Sequence, residues 1–107
     1  WAVEPENAAI LSGGAIGTHL QMGIGDGLIP DNLNQDIYDD LYLVTDEEAI
    51  QTAKDLARLE GLMCGISSGT NVAAALKLAK KLGPGKTVVT ILPDTAERYF
   101  STPLFQE

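Results

Sequence analysis

Two hydroxyl side chains stand next to each other in the segment Gly65-Ile66-Ser67-Ser68-Gly69, between an apolar run and a helical pattern. We expect this segment at the carboxyl end of a strand and the N-terminus of a helix, where open α/β sheets bind ligands. A serine hydroxyl there donates or accepts a hydrogen bond while remaining neutral. One serine is also compatible with capping the helix, which leaves the other to face a ligand.

A second polar loop, Pro93-Asp94-Thr95, follows a β-branched run at residues 87–92. Because that run is apolar without alternation, it predicts a strand buried in a parallel sheet. Parallel strands present their carboxyl ends at one edge of a sheet. We therefore expect the loop at Pro93 and Asp94 to lie beside the one that carries Ser67.

Glycines recur in Gly23-Ile24-Gly25-Asp26-Gly27, where the backbone is free to approach a ligand closely. The G-x-G-x-G spacing and the absence of a strand-turn-helix context exclude the dinucleotide fingerprint. A ligand loop and a plain turn both remain open for this segment. The sequence Gly83-Pro84-Gly85-Lys86-Thr87 is not a phosphate loop, because it ends a helix and begins a strand instead of the reverse.

Cys64 and His19 are the single cysteine and the single histidine of the chain. A disulfide within the chain and a His/Cys metal cluster are therefore excluded. Cys64 follows two apolar residues, which predicts a buried and inert thiol. His19 lies in an irregular stretch, and we interpret it as structural and not catalytic.

Hydrophobic periodicity predicts the elements that position these groups. Thr45 and Glu48 form a capping box that begins an amphipathic helix, and Gly61 provides its left-handed end. The second helix is predicted to bury Val72, Ala75, Leu76, Ala79 and Leu82. Alternating strands and helices indicate an α/β fold with an open, mostly parallel sheet flanked by helices. The predicted strands are 1–3, 41–44, 62–66 and 87–92, and the predicted helices are 46–60 and 70–82.

The 107 residues carry a formal net charge of -8, and ten of the fifteen acidic residues lie between Asp26 and Glu60. Nucleic-acid binding needs a cationic surface, so this charge excludes it as a function. The longest apolar run is shorter than the roughly 20 residues of a membrane span, and we expect no membrane partner. One cysteine fits a cytoplasmic protein. The apolar start at Trp1 leads us to expect a further region upstream.

The order of several motifs resembles the C-terminal segment of cysteine synthases (O-acetylserine sulfhydrylases), which belong to the fold-type II pyridoxal-phosphate (PLP) family. The resemblance covers nearly the whole chain in the same order. The motifs that carry it are Val3-Glu4-Pro5, Leu11-Ser12-Gly13-Gly14, the loop at residues 19–30, Gly65-Ile66-Ser67-Ser68-Gly69 with the following alanine-rich helix, and Ile91-Leu92-Pro93-Asp94 continuing to Glu97-Arg98-Tyr99-Phe100-Ser101-Thr102.

This resemblance implies that residues 1–107 are the C-terminal portion of a PLP-binding catalytic domain. It places Ser67 at the pyridine nitrogen of PLP, Gly23 on the substrate side of the cofactor, and Pro93 and Asp94 near its pyridine end. The implied reaction makes L-cysteine from O-acetylserine and sulfide. A homodimer is the implied assembly, and serine acetyltransferase is a further implied partner.

No catalytic residue is expected within these 107 residues, because the family's Schiff-base lysine, substrate loop and phosphate cradle lie upstream of this segment. The isolated chain is therefore expected to be inactive. Met22 stands where many members carry Gln, and Asp26 where a small residue is common. The substrate thus stays open between the cysteine synthase, cystathionine β-synthase and O-phosphoserine sulfhydrylase branches. A non-enzymatic partner-binding module is the alternative from another class.

Overall fold

A short parallel sheet and two helices form the centre of the protein. The computed structural model describes residues 1–14, 17–21, 24, 25, 27 and 29–99. The elements are strand β1 (Ala2–Pro5), strand β2 (Leu41–Val44), helix α1 (Asp46–Glu60) and helix α2 (Ile66–Leu82). Short 3-10 helices cover Glu6–Ala8 and Ala96–Tyr99. The α/β class with a parallel sheet and flanking helices is confirmed.

The two strands pair in parallel, with Ala2 opposite Leu41 and Pro5 opposite Val44. At the start of the pair the rings of Trp1 and Tyr42 stack with centroids 5.6 Å apart. Val44 is fully buried at the carboxyl end of β2. The sheet therefore places the end of β2 directly against the helical layer.

Helix α1 begins where its sequence predicts. The Thr45 hydroxyl accepts from the Glu48 backbone N–H at 3.1 Å, and the Glu48 carboxylate accepts from the Thr45 backbone N–H at 3.4 Å. Gly61 ends the helix in the left-handed region, with φ 69°. The reciprocal cap satisfies two backbone donors at once, so the start of α1 is set locally.

Small residues bring α1 and α2 close together. Ala49 and Ala53 of α1 are buried, as are Ile66, Ala73 and Ala74 of α2. Together with Val44 and Ala96 they form one apolar cluster. A side chain on Gly69 would meet the backbone of α1 at Ala49 and Ala53, so the two helices touch at this glycine.

Two predicted strands are not strands in the structure. Residues 62–66 contain one isolated antiparallel bridge, between Cys64 and Thr95, and α2 already begins at Ile66. Residues 87–92 have no regular secondary structure, no strand within the described part of the chain pairs with them, and Val89 is 85% exposed. A β-branched run becomes a strand only where a neighbour completes its hydrogen-bond ladder. Here the Asn71 side-chain amide donates to the Ile91 carbonyl oxygen at 2.9 Å instead.

The buried face of α2 also differs from the prediction. Leu76 and Leu82 are exposed, Ala79 is exposed as well, and the buried residues lie in the first two turns. The helix packs against α1 through its N-terminal half, so the apolar stripe farther along is left uncovered by the described residues. Neither helix in the described ranges is long and apolar enough to cross a membrane.

Candidate functional site

The two polar loops identified in the sequence lie side by side in the structure. The Gly65 backbone N–H donates to the Asp94 carbonyl oxygen at 3.2 Å, and the Ala96 N–H donates to the Met63 carbonyl oxygen at 3.1 Å. The expected contact is therefore present, although an antiparallel bridge produces it instead of two parallel strands. Pro93 and Asp94 lie next to the residue that precedes α2.

Ser67 and Ser68 occupy the first turn of α2, and neither of them caps it. The N-cap is Gly65 in an extended conformation, and no side chain accepts from the first-turn amides. Ser67 is 4% exposed and Ser68 is fully buried. The capping alternative is thus wrong, because the helix begins one turn earlier than its alanine pattern predicts. The uncapped positive end of α2 is suited to an acceptor group.

The Ser68 hydroxyl has an unusual environment. Its oxygen is completely buried and has no hydrogen-bond partner of standard geometry among the described residues. The group next to it is the Cys64 thiol, a weak hydrogen-bond partner, and the Ser68 hydroxyl acts to lower the pKa of that thiol.

The Cys64 thiol lies beside this pair. Burial raises its pKa above the ordinary value of 9.0, and this outweighs the opposite effect of the neighbouring Ser68 hydroxyl. The Asp94 carboxylate raises the pKa further. The thiol therefore remains protonated at neutral pH, as expected for an inert buried cysteine.

We expect Cys64 in the folded enzyme to react with iodoacetamide about hundredfold more slowly than in the urea-unfolded enzyme at neutral pH. Mass spectrometry of the peptide that contains Cys64 measures both rates. Equal labelling rates in the two states would show that the thiol is accessible.

The raised pKa of Cys64 also has a consequence for stability. Because the folded state holds the thiol proton more tightly than the unfolded state, the free energy of unfolding of the enzyme should fall as the pH rises through 9.0 and above.

Gln21, His19 and Gly25 are held by hydrogen bonds that no sequence motif indicates. The Gln21 side chain is fully buried and hydrogen-bonded to β2, α1 and α2. His19 connects the Gln21 backbone to Gly25 through its two ring nitrogens. In the sequence, Gln21 is a polar residue with the apolar neighbours Leu20, Met22 and Ile24, and this pattern indicates a buried polar contact.

A carboxylate fixes the turn that follows β1. The Glu4 side chain accepts from the backbone N–H of Leu11 at 2.9 Å and from that of Ser12 at 3.0 Å. The Ser12 hydroxyl also donates to it at 2.7 Å. Glu4 therefore joins the motifs Val3-Glu4-Pro5 and Leu11-Ser12-Gly13-Gly14 in space.

Several residues of interest lie outside the described part of the chain. Among them is Gly23, the expected contact on the substrate side of the cofactor, and so are Met22, Asp26 and the segment from Phe100 to Thr102. Of the four expected cofactor contacts, the structure thus brings together Ser67, Pro93 and Asp94.

The chain is similar to known proteins along almost its whole length. Residues 1–94 match the family model described as pyridoxal-phosphate dependent enzyme. A cysteine synthase of Staphylococcus aureus is 49% identical over 104 residues, which are 97% of this chain and 34% of that protein. The chain thus spans about one third of the length of the curated relatives that it matches.

Solved structures show the same similarity. O-acetylserine sulfhydrylase isoform 3 of Entamoeba histolytica superposes with a TM-score of 0.95 at 41% identity, over 99% of this chain and 32% of that one. An O-acetylserine dependent cystathionine β-synthase of Helicobacter pylori gives 0.86 at 42% identity, over 96% and 33%. With the family model matched from the first residue to Asp94, the chain belongs to the pyridoxal-phosphate dependent enzyme family.

Proposed function

We propose that residues 1–107 are the C-terminal portion of the catalytic domain of a PLP-dependent enzyme that makes L-cysteine from O-acetylserine and sulfide. The observation that carries this proposal is the position of Ser67. It is almost fully buried in the uncapped first turn of α2, beside the loop that carries Pro93 and Asp94. The S. aureus relative is a cysteine synthase, which supports the same activity here.

The described residues fit the pyridine end of the cofactor. Ser67 provides a neutral hydroxyl, and the start of α2 has no side-chain cap. The buried Ser68 oxygen, which has only the Cys64 thiol beside it as a weak partner, lies in the same turn. We assign Ser67, Pro93 and Asp94 to cofactor binding, together with Gly23 on the substrate side. PLP, when bound, supplies the electron sink for the reaction.

The environment of Ser67 bears on which reactions such a site favours. The positive end of α2 opposes a positive charge nearby, and a serine hydroxyl does not stabilise one as a carboxylate does. Both features favour an unprotonated ring nitrogen. An unprotonated ring withdraws electrons less strongly, which suits replacement of a β-substituent over more extensive carbanion chemistry.

The rest of the proposal concerns the whole protein. We infer that it is a cytoplasmic homodimer, as the resemblance implies, and that its cleft also accepts the C-terminal tail of serine acetyltransferase. The lysine that anchors the cofactor belongs to another part of the protein. All five lysines present here lie on helices or in a turn: Lys54 in α1, Lys77, Lys80 and Lys81 in α2, and Lys86 after it.

The test is to measure cysteine formation by the complete enzyme with PLP, O-acetylserine and sulfide. We expect turnover by the complete enzyme and none by the isolated 107-residue chain above the rate of free PLP, because nothing in the chain anchors the cofactor covalently. Turnover by the isolated chain would show that a lysine within it serves as the anchor. A complete enzyme that binds no PLP would contradict the proposal.

A second candidate function is supported by the H. pylori structure, which is named as a cystathionine β-synthase that depends on O-acetylserine. The same assay with homocysteine in place of sulfide distinguishes the two. A kcat/KM larger with homocysteine than with sulfide would assign the protein to that branch. O-phosphoserine in place of O-acetylserine tests the third branch in the same way.

A further inference from the structure

One buried amide connects three elements of the fold to the residue pair His19 and Gly25. The Gln21 Nε2 group donates to the Val44 carbonyl oxygen at 2.9 Å and to Asp46 Oδ1 at 3.1 Å. The Gln21 Oε1 atom accepts from the Thr70 hydroxyl at 2.7 Å. Gln21 and Thr70 are both 0% exposed. The amide thus bonds to the end of β2, the first turn of α1 and the second turn of α2.

The chemistry of the partners fixes the orientation of this amide. Val44 and Asp46 present oxygen acceptors, so the NH2 group must face them. The oxygen then faces the Thr70 hydroxyl, which also lies 3.3 Å from the Ile66 carbonyl oxygen. The hydroxyl has one proton and donates it to the nearer acceptor, Gln21 Oε1. Removal of the hydroxyl leaves a buried amide oxygen without its donor, which is costly.

The backbone of Gln21 carries the connection farther along its own segment. Its N–H donates to His19 Nδ1 at 3.0 Å, so that nitrogen bears no proton. His19 Nε2 therefore carries the ring proton and donates to the Gly25 carbonyl oxygen at 3.1 Å. The position of Gln21 consequently sets where His19 and Gly25 lie.

Thr70 follows Ser67 by three residues in α2. Residues at this spacing lie on the same face of a helix. The Thr70 hydroxyl therefore holds the face of α2 that carries Ser67, and Gln21 holds the segment that carries Gly25. A shift of one relative to the other changes the distance across the site between them.

We propose that Gln21 and Thr70 are positioning residues that set the spacing between the backbone at Gly25 and the Ser67 face of α2. In this respect the inference rests on the proposed function, which places the cofactor against Ser67. Neither residue is assigned to the reaction itself. Their effect on the cofactor passes through Ser67 and the backbone near Gly25.

The experiment uses Thr70→Val in the complete enzyme, since valine matches threonine in shape and lacks the hydroxyl. Hydrogen–deuterium exchange of the apoenzyme is measured in the peptide that contains Gln21. We expect exchange about threefold to tenfold faster there, with α1 unchanged beyond its first turn. In the holoenzyme the absorbance or fluorescence of bound PLP should shift, and kcat should fall about threefold to tenfold with little change in KM.

Thr70→Ser is the rescue variant, because it keeps the hydroxyl, and it should restore exchange, spectrum and kcat to near wild type. Thr52→Val is the matched control. It makes the same change in the half-buried face of α1, in a groove lined by Leu76 and Lys80. Should Thr70→Val not fold, Thr70→Ala replaces it. Uniformly faster exchange across both helices would reduce Thr70 to a general stabilising role and overturn the proposal.

The exchange measurement does not depend on the reaction. A complete enzyme without PLP binding, yet with the local exchange effect, would remove the proposed function and leave the Gln21–Thr70 connection intact. If the complete enzyme has normal activity with sulfide, but Thr70→Val changes neither the exchange nor the PLP spectrum, the proposed function stands and the positioning role of Gln21 and Thr70 is wrong. The experiment therefore tests the positioning role of Gln21 and Thr70 separately from the proposed function.

Discussion

Gly69→Ala is expected to destabilise the protein, although the same substitution inside a helix ordinarily stabilises it by about 1 kcal/mol. A Cβ at Gly69 would collide with the Ala49 carbonyl oxygen and would lie 2.9 Å from the Ala53 nitrogen. Both are backbone atoms of α1, so no side-chain rotation relieves the contact. The helices must separate, and the packing lost outweighs the gain in helix propensity. We expect a net loss of at least about 2 kcal/mol.

Thermal unfolding of the complete apoenzyme measures this loss. Gly61→Ala is the matched control, because it adds the same methyl group at a site where no described atom lies within 4 Å of the new Cβ. Its cost is backbone strain alone, about 1 kcal/mol for the left-handed φ of 69°. A Gly69→Ala variant at least as stable as Gly61→Ala would show that α1 and α2 do not touch at this residue.

Local sequence signals predicted the elements that depend on neighbours along the chain. The capping box at Thr45 and Glu48 and the left-handed Gly61 are found where the pattern places them. The parallel pair of β1 and β2 agrees with the two apolar segments identified at the start of the chain and at residues 41–44. The caps use hydrogen bonds that close within a few residues, so the sequence alone is sufficient to indicate them. The two strands pair across a long stretch of chain, and there the sequence indicated the apolar segments but not the register.

Features that depend on distant partners were missed or misplaced. The run at residues 87–92 has strand composition, yet a strand needs a neighbour to complete its ladder. The start of α2 was predicted at residue 70 because Gly65 and the two serines are weak helix formers, whereas packing of Ile66 and Gly69 on α1 extends the helix back. Tertiary contacts override propensity in both cases.

The candidate site shows the same division. The proximity of the Ser67 and Asp94 loops was predicted, but from two parallel strands, and the structure produces it through an antiparallel bridge instead. The contact between Gln21 and Thr70 spans 49 positions and joins two residues that carry no motif. The apolar neighbours of a polar side chain indicate that it is buried, but its hydrogen-bond partner can be identified only in the folded structure.

Ser67→Ala in the complete enzyme is expected to lower kcat/KM about tenfold while PLP stays bound through contacts elsewhere in the protein. Under the proposed function the variant removes one hydrogen bond to the cofactor, and it should leave the fold intact, since Ser67 does not cap α2. Ser67→Asp should have a larger effect, about hundredfold, because a carboxylate favours a protonated ring nitrogen and changes the charge of the site.

Absorbance spectra of the bound cofactor and steady-state kinetics with O-acetylserine measure both effects. Ser67→Asp should shift the spectrum, whereas Ser67→Ala should shift it less. An aspartate in the first turn of α2 is favoured by the helix dipole, so loss of activity would not result from loss of the helix. Ser68→Ala is the matched control in the same turn, because its buried hydroxyl lies one residue away. Unchanged kinetics and spectra in both Ser67 variants, with a change in Ser68→Ala, would transfer the cofactor contact to Ser68.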